Sequence, residues 1–419
     1  MINTIQSVLN KVGVALWRIN KTTATTAELY FIKRELDMRR QTETEKYAVT
    51  VYRDFEKDGV AMRGHSAVSL TSAYTKEEIE NAIRDAFMAA GFVTNPTFAL
   101  PDPIADSIPT PALPSPEEAV GKLAEALFAG DCVEGAYLNS AELFATRRTE
   151  QILTSYGTDI TYTKQSYRGE FVAQCKTPLD VEMYHSFGYD TLDQEALTKK
   201  VKDALLRVQD RAKATPTLKA GEYTLLLTEE HVAELLSYFA ARSEASTVYS
   251  HYSNWSIGTK VQEGEEGEAL ELSLVATEPY SESGIKMLDR PLVKGGELSL
   301  IHGGERFCSY LGIPMTGDYR GIRCDNGSLS FAQMQKTPHL YVVSFSDFQM
   351  DAWSGHFGGE IRLAYYFDGN TVSIVTGGSV NGNFAECKNR LQFSTERFQN
   401  SHYQGPFAVS LPGVQVAGN

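Results

Sequence analysis

Ile5, Val8, Leu9, Val12 and Leu16 recur at helical spacing through MINTIQSVLNKVGVALWRIN, and polar residues break every apolar run. That pattern predicts an amphipathic first helix and not an export signal. Tyr, Val and Ile then alternate with charged residues in AELYFIKREL (27–36) and KYAVTVYR (46–53), which predicts strands, with a third over 59–70. A helix follows: Thr75 and Glu78 make a capping box, Ile79, Ala82, Ile83, Ala86 and Phe87 share a face, and Gly91 closes it.

The texture changes between 96 and 116, where six prolines fall between Pro101 and Pro116. Proline has no backbone N–H, so this stretch is read as an extended surface connection. Ser115 then caps another helix, with Pro116 at its first position, Glu118 at its third and Gly130 beyond the last apolar turn. Strands are predicted across 141–175, in LFATRR and DITYTKQSYRGEFVAQ. A helix from Asp193 to Ala212 carries Leu197, Val201, Leu205 and Val208 on its apolar face.

The second half differs in kind. It opens on a strand, YTLLL (223–227), and a helix over about 229–241 with Val232, Leu235, Leu236 and Phe239. Short strands and turns follow, in SIGTKVQ, ALELSLVA, HLYVVSFSDF, GEIRLAYYF and TVSIVT, and 22 of the 33 glycines lie beyond residue 250. EGEEGE (263–268) is read as a solvated hairpin loop joining the first two. The expected fold is α+β: an N-terminal α/β-layer domain over 1–215, then a strand-rich, strongly twisted sheet or barrel-like domain over 216–419 with its one helix packed on it.

A chain of 419 residues exceeds the roughly 250–300 that one core supports, which favours two domains. No stretch approaches the roughly 18 apolar residues of a membrane helix, so a cytoplasmic protein without membrane attachment is expected. Five cysteines without CxxC pairs predict reduced thiols, not a disulfide framework or zinc knuckle. With 53 acidic against 39 basic residues the charge is −14, which repels polyanions and argues against nucleic acid as a direct partner.

The chain carries no GxSxG, no GxxxxGK[ST] and no GxGxxG after a strand. None of the eight histidines pairs with another at a helical ligand spacing. His231 with Glu234, and His356 with Glu360 in SGHFGGE, are the nearest approaches, and neither supplies the three protein ligands of a catalytic zinc. Solvent-facing roles suit both pairs better. His356, Glu360 and His251 remain weak candidates for an unrecognised site.

SESGIKMLDRPLVKGGELSLIHGG, SYLGIPMTGDYRG and LYVVSFSDFQMDAWSGHFGGEIRLAYYFDGNTVSIVTGGSVNGNF resemble, in order, the C-terminal region of the TldD/PmbA family, once named as modulators of DNA gyrase. Asp351, Ser354, Gly355, Phe357, Gly382 and Asn383 stand in matching places, and His356 replaces a usually acidic residue. PGVQVAGN resembles the family's closing segment, while AELYFIKREL and TDITYTKQSYRGEF extend a looser likeness into the first half. One kind of member bears HExxxH and a late cysteine and is a zinc peptidase; the PmbA-like kind lacks these ligands and resembles its partner subunit. Here the resemblance puts Ser237, Tyr238 and Arg242 at the His, Glu and His positions, and no cysteine follows Cys387. Neutral Ser and Tyr are poor zinc ligands and Arg stays protonated.

The resemblance therefore implies no metal and no cofactor. It implies a subunit that supports proteolysis of unfolded peptides, in a heterodimer with an HExxxH relative or in a homodimer, with peptide added as a strand at a sheet edge. Two other readings stay open: a homodimeric peptide-binding scaffold without hydrolytic activity, and a peptidase with an unrecognised site.

Overall fold

The computed structural model describes residues 1–263 and 266–418. Helix α1 (Ile2–Val12) buries Ile5, Val8 and Leu9 and stops at Gly13, whose φ of 82° is left-handed. The first helix is thus shorter than expected. Leu16 opens strand β1 (Leu16–Ile32), because the left-handed turn reverses the chain and the alternation of Trp17 and Ile19 takes over. β2 (Glu35–Lys57) and β3 (Val60–Thr71) complete an antiparallel meander in which β1 and β2 are far longer than the strands read from the sequence, while β3 matches the expected 59–70. Helix α2 (Lys76–Ala90) has the expected capping box.

The proline-rich segment is mostly irregular, yet it contains β4 (Ala105–Ser107), which pairs in parallel with residues 159–161. Its donors come from the proline-free run between Pro103 and Pro109: Ile108 N–H donates to Thr161 O at 2.9 Å. Helix α3 (Pro116–Gly130), β5 (Ala136–Thr154), β6 (Asp159–Cys175), β7 (Val181–Tyr189) and helix α4 (Gln194–Lys213) follow. The sheet runs β3-β2-β1-β5-β6-β4, with β7 also on β6, and curls into a half-barrel. Helices α1 and α2 cover Trp17, Ile19, Tyr47 and Val49 at one end, and α3 and α4 cover Leu138, Leu143 and Phe171 at the other.

The second half begins with β8 (Gly221–Thr228), α5 (Glu230–Arg242) and the short α6 (Ala245–Tyr249). SIGTKVQ is not a strand. Ser256 N–H donates to Thr259 Oγ1 at 3.0 Å and Gly258 takes a φ of 88°, a side-chain-closed turn that competes with sheet pairing. Within EGEEGE, Gly264 and Glu265 lie outside the described residues; Glu268 Oε1 accepts from Phe393 N–H at 2.8 Å. Next come β9 (Leu272–Val275), β10 (Arg290–Lys294), β11 (Glu297–Leu298), α7 (Glu305–Leu311), β12 (Gly321–Cys324) and α8 (Phe331–Met334). After them run β13 (His339–Met350), β14 (His356–Phe367), β15 (Val372–Val375), β16 (Ser379–Asn383), α9 (Phe384–Cys387), β17 (Gln392–Phe393), β18 (Arg397–Gln399), β19 (Tyr403–Pro406) and β20 (Ala408–Ala417).

Strands β13, β8, β20, β16 and β14 close into a five-stranded barrel, because β13 and β14 also pair with each other. A second sheet, β11-β10-β9-β12-β19-β18, shares its core, into which α5 sends Val232, Leu235, Leu236 and Phe239. The α+β architecture with a barrel-like second half is therefore as the sequence pattern indicated. Among the described residues no helix is long and apolar enough to cross a membrane. All five cysteines are free, and only Cys132 is exposed.

Candidate functional site

Strand β8 buries Leu225, Leu226 and Leu227 and ends against α5 through Glu229, whose φ of 57° and ψ of −124° bend the chain abruptly. On α5, Ser237 Oγ donates to its own helix, to Glu234 O at 2.6 Å. Tyr238 is buried, with its ring 5.7 Å from Trp255 and 5.6 Å from Phe384, both edge-on. Burial pushes its phenol pKa up, and the nearby Arg242 offsets only part of that. The Arg242 guanidinium lies 5.2 Å over Trp255 and 5.7 Å over Tyr238, and its Nη1 donates to Trp353 O at 2.7 Å. Arg242 thus fills the space beside the helix with a permanent cation stacked on two rings.

His356 and Glu360 are exposed on β14, and Glu360 pairs with Arg362 at 3.4 Å. Gly355, just before His356, forms a turn with a φ of 85° and its backbone close to Asn383 and Tyr238, while Gly358 and Gly359 lie within β14. His251 is exposed beyond α6. Its neighbour Tyr252 stacks on exposed Trp353 at 5.5 Å and 3°. His231 meets Glu234 at 3.4 Å and packs on Phe345 and Phe348. Among the described residues no three His, Cys, Asp or Glu side chains come together as a metal site.

Between the two halves lies a cleft of about 370 Å³. Arg18 on β1, Tyr52 on β2 and His65 on β3 form one wall; Glu244, Glu305, Arg306 and Asp318 form the other. Arg18 uses Nε toward Asn20 at 3.0 Å and Nη1 toward Tyr52 at 3.4 Å and Glu305 at 3.5 Å. Ser246 Oγ donates to Glu244 at 2.6 Å. Asp318 makes no hydrogen bond or ion pair to any described residue, although it lies open to the cleft. Flanking protein and then the Glu305 and Glu244 carboxylates raise its pKa. Burial lowers the pKa of His65, which keeps that ring neutral, and pushes Tyr52 up to about 12.

Residues 220–418 match the model of the PmbA/TldA metallopeptidase C-terminal domain. The C-terminal half of this chain is a TldD/PmbA-family domain. Three solved structures share its whole fold. TldE from Thermococcus kodakarensis is 16% identical with a TM-score of 0.77, covering 99% of this chain and all of that one. Proteins described as candidate modulators of DNA gyrase from Thermotoga maritima (14%, 0.76, 99% of each chain) and Bacteroides thetaiotaomicron (15%, 0.75, 100% and 99%) align equally well. No curated protein matches.

The family model is named for a metallopeptidase, so the fit of a metal can be tested. A buried neutral phenol, a hydroxyl spent on the helix backbone and a stacked guanidinium are not a zinc ligand set. Within the TldD/PmbA fold, the sequence reading singled out α5 but missed the cleft. Arg18, His65, Glu244 and Asp318 are separated by up to 300 positions, and no local period joins them. Asp318 stands in SYLGIPMTGDYRG, a segment of the resemblance, but nothing in that segment marked its carboxylate for the cleft.

Proposed function

We propose that this TldD/PmbA member is a subunit without zinc ligands that supports cleavage of unfolded peptides by an HExxxH-bearing zinc peptidase partner. Arg242 carries the reading. Its guanidinium occupies the flank of α5 where the family resemblance places a metal ligand, and a fixed positive charge there opposes a divalent cation. The partner's zinc would supply the polarised carbonyl and activated water; this chain would hold and orient the peptide. An open sheet edge supports that role. Residues 35–45 of β2 pair only with β1, and their other edge has no strand neighbour among the described residues. Peptide added there gains main-chain hydrogen bonds without a catalytic residue.

The test is co-purification with an HExxxH relative from the same genome, followed by cleavage of a denatured casein-like substrate. Cleavage should rise at least tenfold when this chain is added and should require the partner's HExxxH. Unchanged cleavage with and without this chain would refute the proposal.

A further inference from the structure

The interdomain cleft holds unused valences of both signs, and they match one kind of ligand. Of its charged groups, Arg18 and Glu305 largely satisfy each other, and Glu244 holds a hydroxyl. Two groups are left with little to do. Asp318 has no protein partner among the described residues, and both its oxygens lie above Gly304, within 3.7 Å of where a Cβ on that glycine would stand. Arg306 has only a 3.5 Å contact to Asn95 Oδ1 and the face of Phe307 at 4.3 Å. The same cleft is lined by the rings of Tyr52, Phe98 and Phe307. His65, neutral and without a hydrogen bond, adds a further vacant polar group whose Nδ1 is buried.

A carboxylate and a guanidinium lining one small cavity that also has aromatic walls suit a molecule with an ammonium at one end, a carboxylate at the other and a hydrocarbon stem. We propose that this cleft binds a zwitterionic amino acid or short peptide with both termini free. Asp318 accepts from the ammonium, Arg306 donates to the carboxylate, and the rings contact the side chain. Cavities of roughly 300–1,000 Å³ hold small ligands of this size. Burial and the nearby Glu305, Glu244 and Glu282 carboxylates raise the pKa of Asp318, offset only in part by Arg18, and an arriving ammonium would relieve that repulsion.

The inference stands apart from the partnership proposed above, because every residue it uses belongs to this chain. Loss of ligand binding would leave the partner reading intact, and loss of partner activity would leave the cleft intact. The probe is L-alanyl-L-leucine, titrated calorimetrically into the full chain beside its N-acetylated and C-amidated forms. A charge-assisted hydrogen bond is worth about tenfold in affinity or more, so each capped form should bind at least tenfold more weakly than the free dipeptide. Asp318→Asn should weaken the free and amidated forms tenfold and leave the N-acetylated form unchanged. Arg306→Gln should weaken the free and N-acetylated forms and spare the amidated one. Equal binding of free and capped forms, no binding of any form, or a uniform loss across all three in both variants would overturn the proposal. Should a variant fail to fold, the comparison of capped and free peptides on the unaltered chain decides alone.

Discussion

His185 shows how one buried ring sets a condition on the whole chain. It faces Phe171 across β6 and β7 in direct register, with the rings stacked at 5.3 Å and 24°. Its Nε2 is buried without a hydrogen-bond partner. Burial first, then the Lys200 and Arg207 cations, push its pKa down to about 3. An unfolded histidine titrates near pH 6.5, so as pH falls below that value the unfolded chain takes up a proton that the folded chain refuses. Stability is therefore lost on acidification from about pH 6.5 toward 3, at about 1.4 kcal/mol per pH unit. Replacing His185 with Phe keeps the stacked shape and removes the proton site. Urea unfolding at pH 7 and pH 5 should show the parent chain losing about 2 kcal/mol more than His185→Phe. Parallel losses in the two proteins would mean that the ring is not the titrating group.

At the scale of the element, α5 divides into a core face and an aromatic flank, and the flank separates architecture from chemistry. Tyr238 packs against Phe239, Trp255 and Phe384, beneath the Arg242 guanidinium. Truncating a buried aromatic side chain costs roughly 3–5 kcal/mol, so Tyr238→Ala should lower stability to chemical denaturation by that amount. Tyr238→Phe, which removes only the hydroxyl, should stay within about 1 kcal/mol of the parent. A Tyr238→Ala loss below about 1 kcal/mol would show that the flank is not a packed cluster. The helices were legible because their signals are local. Thr75 accepts from Glu78 N–H, Ser115 from Glu118 N–H and Asp193 from Ala196 N–H, each beside an apolar stripe readable from neighbouring residues. The strands were not legible at full length. Thr22 to Ala27 meet Lys46 to Gln41 on one side and Glu150 to Ala145 on the other. Their hydrogen bonds thus come from segments far off in sequence, and residues 35–45, none of them buried, have no core face to mark the strand. The cleft was hidden for the same reason, since its walls meet only when the half-barrel docks on the second half.

That docking converges where α4 meets the turn between β8 and α5. Arg207 approaches Glu229 at 3.6 Å, Lys200 reaches Glu230 at 3.1 Å, and Tyr365 OH donates to Asp210 at 2.6 Å. Leu363 of the barrel lies within the core cluster of the N-terminal sheet, so the two halves share buried apolar surface as well as charge. Glu229 sits at the centre of this seam in a conformation that costs a non-glycine residue of order 1–3 kcal/mol. Its N–H donates to Phe407 O at 2.8 Å, which ties the bend to the residue just before β20 of the barrel. Two opposed effects meet in one side chain: the carboxylate neutralises Arg207, and its Cβ strains the turn. Glycine and alanine separate them. Both remove the carboxylate and leave Arg207 without its counter-charge, but only glycine adopts a positive φ without steric conflict. Glu229→Gly should therefore be more stable than Glu229→Ala by about 1 kcal/mol or more, measured as the difference in urea midpoint scaled by a common slope. Were the two variants equal, the bend would carry no backbone strain, and the seam would rest on its ion pairs and shared apolar core alone.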